Sequence, residues 1–183
     1  LRKQLIGAFT RLEDYQSALD QHIEIINRQP ENEALTEDAI SYVRRYGGSG
    51  RLLDYYSKVS AQSFKNYRWN VVLARIYAAG GDWENTARNY RAATLNQPEM
   101  ADIHAARADA EARRNNFDEA LESIDAALEL SGDAPEYIKK KIEILKKAGR
   151  GEEAESERKK LPGEETALTA NGDFEEARRH AAT

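Results

Sequence analysis

Residues 69–98 read WNVVLARIYAAGGDWENTARNYRAATLNQP, and this stretch decides the fold. Its first part, from about Asn70 to Ala79, is free of helix breakers and predicts a helix. Gly80 and Gly81 supply the positive-φ conformations that end a helix, and Asp82 is placed to cap the next one. Pro98 stops that second helix. Two helices joined by a tight turn make a hairpin. The small residues Ala74 and Ala93 stand where its helices approach closely, while Trp83 and Tyr90 are large enough to fill the space between neighbouring hairpins.

The hairpin recurs along the chain. Ala18, Leu52, Thr86, Ala120 and Ala154 follow one another at a single constant step. Four further columns keep that step: Ile6, Ile40, Ala74, Ala108 and Ile142; His22, Tyr56, Tyr90, Ile124 and Arg158; Ile25, Val59, Ala93, Ala127 and Leu161; and Glu13, Gly47, Gly81, Asn115 and Gly149. A lone hairpin leaves its apolar face exposed, so successive units must stack. Inter-helix turns are expected near residues 12–15, 46–50, 80–82, 114–117 and 148–151, in a mainly helical chain without strands.

The pattern resembles the tetratricopeptide repeat, in which an aromatic in the first helix, a small residue early in the second and a terminal proline recur with a period of about 34 residues. The matches are Tyr77, Thr86, Ala93 and Pro98 in the third unit, Phe9, Ala18 and Pro30 in the first, and Phe117, Ala120 and Ala127 in the fourth. The resemblance implies an all-α, right-handed α-solenoid of stacked antiparallel hairpins. It would be a single array over residues 1–183, with units near 1–32, 33–66, 67–100, 101–134 and 135–163 and a partial sixth at 164–183. The second unit departs from the pattern: Leu52 replaces the small residue, Phe64 the proline, and Gly47–Gly48–Ser49–Gly50 forms the turn. Its helices are expected to tilt differently and bend the array. Asn171–Gly172–Asp173–Phe174–Glu175–Glu176–Ala177 reads as one more turn and second-helix start. Ala177 follows Ala154 well short of a full period, which favours loss of residues between Gly163 and Glu164 over a truncated first helix.

Composition limits the function classes. The chain of 183 residues carries a net charge of −5, with 32% charged and 40% hydrophobic residues. Residues 1–91 hold 13 Lys/Arg against 11 Asp/Glu, and residues 92–183 hold 14 against 21. An acidic chain is a poor nucleic-acid binder, because phosphate neutralisation needs a basic face. No apolar run approaches the roughly 20 residues that span a bilayer, and no stretch resembles a signal peptide. With Leu1 at its head, the chain reads as a piece of something longer, and its compartment is not legible. Cysteine is absent, which removes disulfides, thiolate metal sites and a cysteine nucleophile.

Catalytic and metal signals are weak. His22, His104 and His180 lack the spacing for metal ligation or a Ser–His–Asp arrangement, and the column shared by His22 assigns it to packing at the hairpin interface. The glycine run lacks the Lys-Ser/Thr ending of a phosphate loop. Asp118–Glu119 and Glu152–Glu153 open second helices, where they complement the helix dipole. The run Lys139–Lys140–Lys141 with Lys146–Lys147 reads as a solvated face paired within its helix to Glu136 and Glu143. No catalysis, cofactor or metal is expected.

The resemblance further implies that first helices line an inner groove. By phase that face holds Lys3, Gly7 and Thr10; Glu37, Ser41, Arg44 and Arg45; Arg68, Val71, Arg75 and Ala78; Asp102, Ala105, Asp109 and Ala112; and Glu136, Lys139, Glu143 and Lys146. The candidate peptide-binding residues are Arg44, Arg45, Arg68, Val71, Arg75 and Asp109. Guanidinium groups grip carboxylates in bidentate fashion, which points to a protein or peptide partner with an acidic or C-terminal segment. Equally, the arginines could pair with Glu37, Asp38 and Asp109. The carboxylate clamp known in this family needs Lys followed one helical turn later by Asn. Here Lys3 is followed by Gly7 and Lys139 by Glu143, so a co-chaperone of that kind is disfavoured. Two rival functions stay open, a self-assembling scaffold and the docking arm of an enzyme whose catalytic domain lies elsewhere.

Overall fold

A computed structural model of the protein describes residues 1–63 and 65–161. Phe64, the loss of residues expected at 163–164 and the turn expected at 171–177 lie outside the described residues. Among the described residues the chain forms helices and no strand: α1 (Arg2–Arg11), α2 (Tyr15–Arg28), α3 (Glu33–Tyr46), α4 (Ser49–Gln62), α5 (Tyr67–Ala79), α6 (Trp83–Asn96), α7 (Ala101–Arg113), α8 (Phe117–Ser131), α9 (Pro135–Lys147) and α10 (Gly151–Arg158). The turns fall where the Gly/Asn column places them. The chain divides into two compact units, Leu1–Glu99 and Met100–Thr183.

The turn column has one backbone reason. Glu13, Gly47, Gly81, Asn115 and Gly149 all sit at positive φ, between 59° and 87°. In four of the five turns the next residue sends its N–H back across the turn, as Asp14 N to Phe9 O, Asp82 N to Tyr77 O, Asn116 N to Glu111 O and Arg150 N to Leu145 O, at 2.9–3.0 Å. This bond closes the helix end and reverses the chain. Asp14 and Asp82 then accept the backbone N–H of Ser17 and Asn85, capping α2 and α6. The positive-φ residue thus serves the first helix and the residue after it the second, and the repeat carries both forward.

In the first unit, α1 packs on α2, α2 on α3, α4 on α5 and α5 on α6. The second hairpin is the exception, since α3 barely touches α4 and packs on α2 and α5 instead. Its turn uses two left-handed glycines, Gly47 at φ 87° and Gly48 at φ 94°, and lacks the return bond of the other four. Side chains hold α4 against α2: Arg51 reaches Asp20 at 2.6 Å, the Tyr56 hydroxyl donates to Ile23 O at 3.4 Å, and Asn27 donates to the Tyr55 hydroxyl. Gly48 approaches Leu19 so closely that a Cβ there would stand 3.0 Å from Cδ2. The large Leu52, fully buried with Tyr56, takes up the volume that a small residue leaves to a close helix contact elsewhere. Ser49 and Gly50, read as part of the turn, already belong to α4.

Helix α5 starts earlier than expected, at Tyr67, because the Asn66 side chain accepts the Arg68 N–H and caps it. Helix α6 ends at Asn96, ahead of Pro98, since proline disfavours helical backbone in the residue before it.

In the second unit α7 packs on α8 and α9, α8 on α9, and α9 on α10. Ala108, Ala120, Ala127, Ile124, Ile142 and Leu145 form the centre of its apolar cluster. The lysine run of α9 needs correcting. Lys141 is largely covered and bridges Asp125 of α8 at 2.8 Å and Glu157 of α10 at 2.9 Å, and Lys140 pairs with Asp109 of α7. These two lysines tie three helices to α9 rather than pairing along it. Lys139, Lys146 and Lys147 are exposed, as expected.

Candidate functional site

Two of the sequence-selected arginines come together and two stay apart. Arg68, Val71 and Arg75 share one face of α5, at the three- and four-residue steps of a helix. Arg75 pairs with Glu33 at the start of α3, and Arg68 lies 3.8 Å from Glu31, just ahead of that helix. Both guanidinium groups are therefore drawn to the N-terminal end of α3. Arg44 and Arg45 occupy its last turn. From Glu33 to Arg44 a helix rises about 16 Å along its axis, so those two do not join them. Arg45 stacks over the Tyr46 ring at 5.3 Å and Arg68 over Tyr67 at 5.0 Å. Val71 is half-buried between the α5 arginines. Asp109 belongs to the second unit, where Lys140 holds it.

The arginines' acidic partners are Glu31 and Glu33, not Glu37 or Asp38. Both glutamates are mostly exposed, with side-chain accessibilities of 61% and 69%. The Arg68–Glu31 pair is exposed on both sides and contributes little to stability, on the order of 0–1 kcal/mol, whereas the Arg75 side chain is only 17% exposed.

Sequence reasoning missed a run of aromatic rings at the other end of α3. Tyr15 stacks on Tyr46 at 4.9 Å, Tyr46 meets Tyr42 at 4.8 Å, and Tyr42 meets His22 at 4.9 Å. The Thr10 and Tyr42 hydroxyls lie 3.3 Å apart. The run joins α1, α2 and α3, and only the i, i+4 spacing of Tyr42 and Tyr46 hinted at it. His22 packs at the hairpin interface as its column indicated. Burial holds its imidazole below the ordinary value, with Asp38 partly opposing and Lys3 adding to the shift.

No protein-family model matches the sequence, and no curated relative does either. Solved structures do resemble it. A thermophilic TPR protein of Thermus thermophilus aligns with a TM-score of 0.54 at 21% identity, over 98% of this chain and 95% of that one. The fold is that of a tetratricopeptide-repeat protein. MamA 41-end from Desulfovibrio magneticus RS-1 aligns at 0.60 and 12% identity, over 87% and 90% of the two chains. A further crystal structure of MamA aligns at 0.60 and 11% identity, over 86% of each. At these identities the likeness carries the tetratricopeptide fold alone. Among the described residues, no helix of this tetratricopeptide chain is long and apolar enough to cross a membrane.

Proposed function

We propose that the protein is a non-catalytic scaffold that holds a segment of a partner protein along its first helices, and that the α5 stripe Arg68–Val71–Arg75 receives an acidic part of that segment. One observation carries the reading. Two cations flank a half-buried aliphatic side chain, and their carboxylate partners among the described residues are exposed glutamates from outside α5. A peptide carboxylate would take the place of Glu31 or Glu33, with apolar contact on Val71. Arg44 and Arg45 would extend the basic surface towards the far end of α3.

Fluorescence anisotropy against acidic and basic peptide libraries tests this, at low and at physiological salt. Arg68→Ala with Arg75→Ala should weaken acidic-peptide binding by about fivefold or more, and Glu31→Ala with Glu33→Ala should strengthen it. Lys139→Ala with Lys146→Ala, on the exposed face of α9, should do neither. Binding should weaken as salt rises, because Arg68 and the glutamates are open to solvent and therefore screened. Equal retention of both libraries would reduce the arginines to solubilising surface.

Self-association is a second reading with its own observation. Helix α1 fully buries none of its residues, and Leu5 and Leu12 are exposed. Light scattering across a concentration series decides it, and a mass fixed at the monomer value removes it.

A further inference from the structure

Leu5, Ala39, Leu73, Arg107 and Lys141 follow one another at the step of the repeat. Ala39 and Leu73 are buried apolar residues, whereas Arg107 and Lys141 bring a charge to the same place on α7 and α9. Lys141 is compensated, because Glu157 of α10, the second helix of its own hairpin, holds it at 2.9 Å and Asp125 of α8 at 2.8 Å. Arg107 is half-buried too, but one repeat before Glu157 the chain has Ser123. That serine is buried, and its hydroxyl donates to Glu119 O on its own helix. The acids of α7 near Arg107 are taken: Glu111 by Arg114 and Asn116, and Asp109 by Lys140. Among the described residues Arg107 makes no ion pair and no hydrogen bond. Its Nε is shut off from solvent, while its terminal nitrogens are not.

We propose that Arg107 is a receiving point for a carboxylate group, which completes on α7 the pairing that Glu157 completes on α9. A half-buried cation without a counter-charge weakens a fold. Leu73 shows that an aliphatic side chain fills the equivalent place, so packing does not call for the guanidinium. The open terminal nitrogens present two parallel N–H groups, the fork that a planar carboxylate fits. A phosphate carries more charge than one cation offsets. The carboxylate comes either from an acidic side chain of a partner segment or from a free small acid. Arg107 lies in the second unit, so the proposal stands apart from the reading of the α5 stripe.

NMR of the Arg107 Nε–H in the full chain tests it, at an ionic strength held constant with chloride. The probes are acetate, inorganic phosphate and two short peptides that differ only in Glu against Gln. We expect acetate and the Glu peptide to shift this signal, and phosphate and the Gln peptide to leave it. A Glu peptide that binds about tenfold or more tightly than acetate assigns the carboxylate to a partner chain, since the rest of the segment then adds contacts. Equal affinity assigns it to a free acid. Arg107→Leu and Arg107→Met should both raise the urea midpoint and remove the response of the neighbouring Ala106 and Ala108 amides to acetate. No carboxylate response at Arg107, an equal response to the Glu and Gln peptides, or tighter binding of phosphate than of acetate overturns the proposal. So does a lower midpoint in both variants, which would make the guanidinium a support of the fold.

Discussion

Single residues at the turns illustrate how one backbone requirement is met by different side chains. Gly81 and Gly149 supply positive φ freely, and a Cβ at either would meet nothing within 4 Å. Gly81→Ala should therefore lower stability by about 1 kcal/mol through backbone strain alone. Glu13 occupies the equivalent place at φ 59° and bears that strain already. Glu13→Gly should recover part of it, on the order of a few tenths of a kcal/mol after the added freedom of the unfolded chain. Urea denaturation of the two variants checks the opposite signs. His22 supplies a second prediction. Its folded pKa lies below 6.5, so between those values the unfolded chain binds a proton that the folded one refuses. Stability then falls as pH drops from neutrality through that window. The lowered carboxylates of Asp14, Asp82, Glu153 and Glu157 act at more acid pH, because protonation there removes stability only as pH falls below about 4.5. His22→Phe should flatten the stability profile as pH falls through 6.5, and an unchanged slope would show that another group governs it.

At the scale of helices, legibility followed locality. Turns carry their signal in two or three adjacent positions, so the column of Glu13, Gly47, Gly81, Asn115 and Gly149 places the five hairpin reversals found among the described residues. The start of α5 was misjudged because Asn66 caps it through one side-chain bond that resembles ordinary loop polarity. Looser packing of α3 on α4 was anticipated only as a tilt. Its cause lies in pairs far apart in the sequence, Arg51 with Asp20 and Tyr56 with Ile23, and no local pattern announces such pairs. Arg68 and Arg75 were found by their phase on the helix, whereas their partners Glu31 and Glu33 lie where the phase argument did not look. Small residues at helix contacts give an element-level prediction. Ala93 on α6 and Ala127 on α8 are 0% exposed, so the three carbons that leucine adds must be forced into the packed interior. Ala93→Leu and Ala127→Leu should each cost about 1–3 kcal/mol by overpacking. Unchanged denaturation midpoints for both would place the inner faces of these helices elsewhere.

For the whole molecule the question is how far such damage spreads. The apolar clusters are drawn separately from the two units: Leu19, Ile23, Tyr56 and Val72 belong to one, and Leu121, Ile124, Ile138 and Leu145 to the other. In a repeat array stability is close to a sum of local terms, because each repeat contacts only its neighbours. Opening then occurs region by region, with separate free energies. Ala127→Leu should therefore act first on its own cluster. In native-state hydrogen exchange, the slowest amides of α8 and α9 should lose protection by about fivefold or more, which follows from the overpacking cost just given. Amides of α2, α3 and α5 should change far less, because their buried apolar residues belong to the other cluster. Ala93→Leu should reverse the pattern within α5 and α6. A uniform loss across all helices in either variant would mean that the chain opens as one cooperative body, and that the local sum does not describe it.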